Sequence, residues 1–109
     1  MNVNKRRGEV AARLDNRDYR LCLTLGALAE LESAFAATDL RALVERFSSG
    51  TLSATDMIAI LGAGLRGGGN PVEDETVARM HCDDGVAGYA RMVSDLLQAT
   101  FGSNAPANP

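Results

Sequence analysis

Residues 8–23 read GEVAARLDNRDYRLCL and residues 24–35 read TLGALAELESAF, and the change of period between them decides the fold class. In the first stretch Val10, Ala12 and Leu14 alternate with Glu9, Ala11 and Arg13. Asp15, Asn16 and Arg17 make a polar turn, and from Asp18 a return strand places Tyr19, Leu21 and Leu23 on one face, Arg20 and Cys22 on the other. A period of two predicts a β-hairpin buried on one side. A lone hairpin is only marginally stable in water, so this one must lie against helices or against another chain's strand. In the second stretch the period becomes helical. Thr24 is suited to cap the first turn, and Leu25, Leu28, Leu31 and Phe35 form a stripe predicted to face the core, with Glu30 and Glu32 outward.

The remainder stays helical. Asp39 precedes Leu40, Leu43, Val44 and Phe47, whose spacing predicts a short amphipathic helix stopped by Gly50. Ser53 with Asp56 has the form of a capping box, and the helix it opens carries Met57, Ile58, Ile60, Leu61 and Leu65, an apolar face wide enough for a central position. Gly67, Gly68, Gly69, Asn70 and Pro71 end that helix and read as a mobile loop. Glu73 to His81 reads as a short helix with Val77 and Met80 inward. A last helix runs from an Asp84 cap through Val86, Tyr89, Ala90, Val93, Leu96, Leu97 and Phe101 to Gly102. The expected fold class is therefore α+β, mainly α: an N-terminal β-hairpin packed on a bundle of about five short helices. A flexible basic N-terminus is expected over residues 1–7, a single domain over 8–102 and a disordered tail over 103–109.

Hydrophobic residues make up 46% and charged residues 23% of the 109, enough apolar surface to offset the entropy of ordering one core. The formal charge of -3 works against non-specific DNA binding, and the run Lys5, Arg6, Arg7 reads as a solvated tail. Cys22 and Cys82 are too few for a secreted disulfide scaffold, and no apolar signal segment follows the basic start, so a reducing cytoplasm is expected. No apolar stretch reaches the roughly twenty residues a membrane span needs.

Little converges to perform chemistry. Gly62, Gly64 and Gly67 match the spacing GxGxxG, but at the C-terminal end of a predicted helix, where the dipole repels an anion; close helix packing explains them better. His81 and Cys82 adjoin Asp83 and Asp84, yet His81 is the only histidine and Cys22 the only other thiol, fewer ligands than zinc takes. The pairs Glu73–Asp74 and Asp83–Asp84 sit at helix starts, where negative charge is favoured. No catalytic residue, cofactor or metal is expected, and the chain reads as a binding protein, not an enzyme.

The runs RRGEV (Arg6–Val10), YRLCLTLGALAELE (Tyr19–Glu32), IAILGAGLRGGG (Ile58–Gly69) and LLQATFG (Leu96–Gly102) together resemble a small protein encoded among the tail genes of alphaproteobacterial gene transfer agents, phage-like particles that package host DNA. The resemblance covers about residues 5–102. It implies a role in tail morphogenesis, as an assembly chaperone that binds the tape measure protein or as a structural tail tube component. Tube subunits generally resemble β-sandwiches whose sheets join into rings, so a helical chain with one hairpin suits the chaperone role better. A DNA-contacting accessory using Lys5 to Arg7 is a third reading.

Partners expected on this basis are the tape measure protein and other tail proteins, with homo-oligomerisation left open. No membrane or direct nucleic-acid contact is expected, and the site of action is the cytoplasm or the tail of the particle. The candidate partner-binding residues are Tyr19 and Leu21 on the hairpin edge, Leu40, Leu43 and Phe47 on the short helix, and Gly67, Gly68 and Gly69. Helix stripes are usually core, so these residues serve binding only where they are exposed.

Overall fold

In the computed structural model, which describes residues 2–49 and 51–102, the hairpin closes through Asp15 and Asn16 alone, with φ of 53° and 62°. Both lie in the left-handed region that Asp and Asn tolerate better than most residues, and a turn of this hand matches the twist of the strands it joins. Strand β1 (Glu9–Leu14) pairs antiparallel with β2 (Arg17–Cys22). The return strand therefore starts at Arg17 and not at Asp18, because a two-residue turn sets Arg17 opposite Leu14. The same register sets Val10 opposite Leu21 and Ala12 opposite Tyr19, giving one face on which Val10, Ala12, Leu14 and Leu21 are buried. The run Lys5–Arg7, read from sequence as part of a flexible N-terminus, forms one turn of 3-10 helix. Asn4 holds it in place: its side chain accepts from the Arg6 amide, and its own amide donates to Glu9 Oε1 at 2.8 Å.

Helix α1 (Leu25–Ala34) starts as expected, Thr24 Oγ1 accepting from the Ala27 amide at 3.1 Å. Its buried residues are Ala27, Leu28 and Leu31, whereas Leu25, expected in the core, is 79% exposed. Ala27, Leu28 and Leu31 set the buried face of α1, and Leu25 lies well round the helix from it. Helix α2 (Leu40–Ser48) is capped by Asp39 and packs on α1, with Phe47 edge-on to Phe35 at a centroid distance of 5.4 Å. Its expected stop, Gly50, lies outside the described residues, as does the tail over 103–109.

Helix α3 (Ala54–Gly67) is the centre of the molecule, in contact with the hairpin, α1, α4 (Asp74–Val77) and α5 (Gly85–Phe101). Its capping box is complete: Ser53 Oγ accepts from the Asp56 amide and Asp56 Oδ2 from the Ser53 amide, at 3.1 and 3.0 Å. Asp56 is 7% exposed and also faces Arg46 of α2 at 3.4 Å, so one carboxylate serves a helix start and a contact between helices. Asp56→Ala is expected to cost about 2 kcal/mol, the loss of a cap plus an unsatisfied amide, read as a lowered urea midpoint.

Helix α4 is a single turn, shorter than the Glu73–His81 span expected, although Val77 and Met80 are buried as the pattern required. Helix α5 runs to Gly102, whose φ of +79° ends it, and buries Val93 and Leu96. Asp84 stands at its start but makes no side-chain cap, bonding instead to Arg91 at 2.9 Å. Val86, in the first turn of α5, is 71% exposed.

The glycines at the end of α3 make a packed seam with β2, not the mobile loop their composition suggested. A Cβ on Gly67 would overlap the carbonyl oxygen of Cys22, and one on Gly68 the carbonyl oxygen of Arg20. Asn70 then donates its side-chain amide to Arg20 O at 2.8 Å and to Leu65 O at 3.1 Å, covering the outer edge of β2. Gly69, with φ +97°, turns the chain away into open space.

Candidate partner-binding groove

The apolar face of α3 is wider than the core needs. Ile60, Leu61 and Leu65 are buried, while Met57 and Ile58, near the start of the helix, are half-buried. There, with Val77 and Ala78 of the α4 segment and Val86 and Tyr89 of α5, they line an apolar groove of about 200 Å³. Leu61 and Val77 form its buried floor and Val86 stands exposed on its rim.

Three local devices hold the walls. Tyr89 donates its hydroxyl to the Met80 carbonyl, tying α5 to the end of the α4 segment, and burial of the ring raises the phenol pKa above its ordinary value. Gly88 lets the first turn of α5 close onto Cys82, whose sulfur a Cβ at that position would overlap. Arg66 of α3 spans α1 and α4, bonding Glu30 at 2.8 Å, Asp74 at 2.9 Å and the Val72 carbonyl at 2.9 Å. Its hydrogen bond to Glu30, and next the one to Asp74, raise its pKa against the opposing effect of burial.

The segment around the α4 wall is acidic. Asp74 and Asp84 answer Arg66 and Arg91, whereas Glu73, Glu75 and Asp83 are exposed and make no ion pair among the described residues. Arg79 is the one arginine in this stretch. A groove of this size is smaller than the roughly 300 Å³ at which drug-sized ligand sites begin, and suits a side-chain anchor from another protein.

Residues 7–103 match the family model described as phage tail tube protein, GTA-gp10. The chain belongs to that family. Neither a curated protein nor a solved structure matches it. Membership places the chain among phage-like tail proteins, as the sequence resemblance implied, and makes other tail proteins its natural partners.

The residues singled out from sequence fall in separate places on this tail protein. Leu21 and Leu43 are fully buried and Phe47 nearly so, packed inside the chain itself. Tyr19 is half-buried beneath Arg17, whose guanidinium lies 5.9 Å from the ring centroid. Leu40, 40% exposed, is the one member of its stripe open to solvent. Gly67 and Gly68 meet the hairpin around Leu21, so these two candidate regions are each other's partners, and only Gly69 is open. Of the groove residues, Met57 and Ile58 were read from sequence as part of the apolar face of α3 and Val77 as facing inward, and none of the lining was singled out for binding. The available signal was the breadth of the α3 face, more apolar than a neighbour on one side can cover.

Elsewhere the chemistry is sparse. His81 is exposed, with Nδ1 3.5 Å from Asp15. The Cys22 thiol donates to the Arg7 carbonyl at 3.6 Å, and burial, reinforced by Glu9, raises its pKa. Among the described residues no cluster of three or more His, Cys, Asp or Glu is placed to hold a metal, and no helix is long and apolar enough to cross a membrane.

Proposed function

We propose that this tail protein is an assembly chaperone, a binding protein and not an enzyme, that holds apolar helical stretches of the tape measure protein until the tube grows round them. The observation that carries the reading is the groove between α3, α4 and α5: an open apolar slot with Val86 exposed at its rim supports docking of apolar side chains from one face of an amphipathic helix. A sheet of two strands, with the outer edge of β2 covered by Asn70 and the α3 glycines, supports the same reading, since ring-forming tube subunits join through longer strands. Such a chaperone acts in the cytoplasm of the producing cell. The test is co-expression with the tape measure protein: it should co-purify with this chain, and should be insoluble or degraded without it. A tape measure protein that stays soluble alone and is not retained would overturn the proposal.

A second reading, a structural component of the tail, is favoured by the distribution of charge as well as by the family's description. Six of the eleven basic residues, Lys5, Arg6, Arg7, Arg13, Arg17 and Arg20, lie in the hairpin region with only Glu9, Asp15 and Asp18 of the fourteen acidic ones. A basic end and an acidic helical body suit head-to-tail stacking into rings. Ring-sized species that form at low salt and dissociate near 0.5 M salt, roughly where screening becomes short-ranged, would support it.

A further inference from the structure

We propose that the outer edge of β1 takes an extended segment of a partner protein, with acidic side chains on one face and basic ones on the other; the site is separate from the groove and holds for either role in the tail. In a hairpin closed by two residues the flanking pair, Leu14 and Arg17, exchanges backbone hydrogen bonds. Alternation along the ladder then turns the N–H and C=O groups of Val10 and Ala12 toward β2 and those of Ala11 and Arg13 away from it. Strand β2 obeys the same rule, since its outward carbonyls at Arg20 and Cys22 are the ones met by Asn70 and the α3 glycines. On β1 the edge is closed only at its ends, where the Glu9 amide donates to Asn4 O at 3.1 Å and the Asp15 amide to His81 O at 2.9 Å. Between them Ala11 and Arg13, both exposed, present two amides and two carbonyls without a hydrogen-bond partner among the described residues. Such a row is a template for another strand.

The edge is also recessed. A cleft of about 440 Å³ lies beside Val10 and Ala11, with Val3 and Lys5 on one wall and Asp95 and Gln98 of α5 on the other. The N-terminal wall lies over the outer face of the hairpin, where Arg20 bonds Asn2 O and the Cys22 thiol bonds Arg7 O. Helix α5 lies under the buried face, where Leu96 and Leu21 both meet Gly64. A strand added to β1 alternates its side chains between these walls. Lys5 and Asp95 are exposed and make no ion pair among the described residues, so acidic residues on one face and basic residues on the other match both walls. A second copy of this chain is not that occupant. Its β2 edge is covered by Asn70 and α3, and its β1 edge is set back between the same two walls.

The test uses the full chain and two synthetic peptides of about eight residues, built from glutamate, lysine, valine and threonine in equal composition. In one, glutamate and lysine alternate, so each sign has its own face; in the other they are grouped in blocks, so each face carries both. By fluorescence anisotropy at low salt the alternating peptide is expected to bind about fivefold tighter, the gain from two exposed pairs. Ala11→Pro is expected to weaken its binding about tenfold or more, because it removes an outward amide and leaves the bonds to β2 in place, which a thermal melt checks. N-methylation of one alternate set of the peptide's amides, and not of the other, is expected to do the same with the protein unaltered. Equal binding of the two peptides, binding of neither, or indifference to methylation of either set would overturn the inference, as would unchanged affinity in a folded Ala11→Pro variant. Self-association of the chain that Ala11→Pro abolishes and the alternating peptide competes with would assign the edge to a second copy and likewise reject it.

Discussion

Gly68→Ala is expected to lower stability by about 3 kcal/mol or more, a large share of the margin of a domain this size. The added methyl overlaps the Arg20 carbonyl, which is backbone within a paired strand and cannot swing aside as a side chain could. Relief requires α3 to move off β2. That movement stretches the Asn70 bond to Arg20 and loosens the contact between Leu21 and Gly64 across the seam. Gly67→Ala meets the Cys22 carbonyl in the same way and should behave alike. Gly69→Ala is the control: nothing lies within 4 Å of its added Cβ, and its cost, about 1–2 kcal/mol, comes only from holding alanine at φ +97°. Urea denaturation reads all three, with midpoints shifted and slopes unchanged. If Gly68→Ala were no worse than Gly69→Ala, the seam would not be the close backbone contact described.

If the chain holds the tape measure protein as proposed, Val86→Asp should abolish that retention while leaving the fold intact. With 71% of the residue exposed, the substitution is expected to change stability by no more than about 0.5 kcal/mol. In a complex the same position is covered by an apolar stripe, and an unpaired carboxylate there costs several kcal/mol, a loss of about a hundredfold or more in affinity. Leu25→Asp is the matched control, similarly exposed at 79% but on α1 and not among the groove residues. Pull-down of the tape measure protein with each variant, beside a thermal melt, separates binding from folding. Retention by Val86→Asp at the wild-type level, or its loss with Leu25→Asp alone, would place the binding surface elsewhere.

What the sequence made legible was local. Alternation from Val10 to Leu23, the Ser53–Asp56 box and the Thr24 and Asp39 caps each depend on residues a few positions apart, and each appears in the structure. The Asp15–Asn16 turn was seen but placed one residue too long, because nothing in the string distinguishes Arg17 as turn from Arg17 as strand. Periodicity names a broad stripe of a helix but not its centre, so Leu25 was placed on the core face, whereas Ala27, Leu28 and Leu31 set that face and leave Leu25 turned outward. Gly67 and Gly68 misled for a related reason. In sequence glycine signals freedom, whereas here its missing side chain is what admits the carbonyls of Arg20 and Cys22, from a strand distant along the chain. The groove was hidden for the same cause: its walls come from α3, α4 and α5, and the excess width of the α3 face was its one local trace.

Quantitative mass spectrometry of purified mature particles, set beside the tape measure complex isolated from the producing cells, discriminates most directly between a chaperone and a component. The chain should be abundant in the intracellular complex and absent, or present only in traces, from finished particles. Copies in the particle at a fixed ratio to the tube subunits would contradict a role confined to assembly.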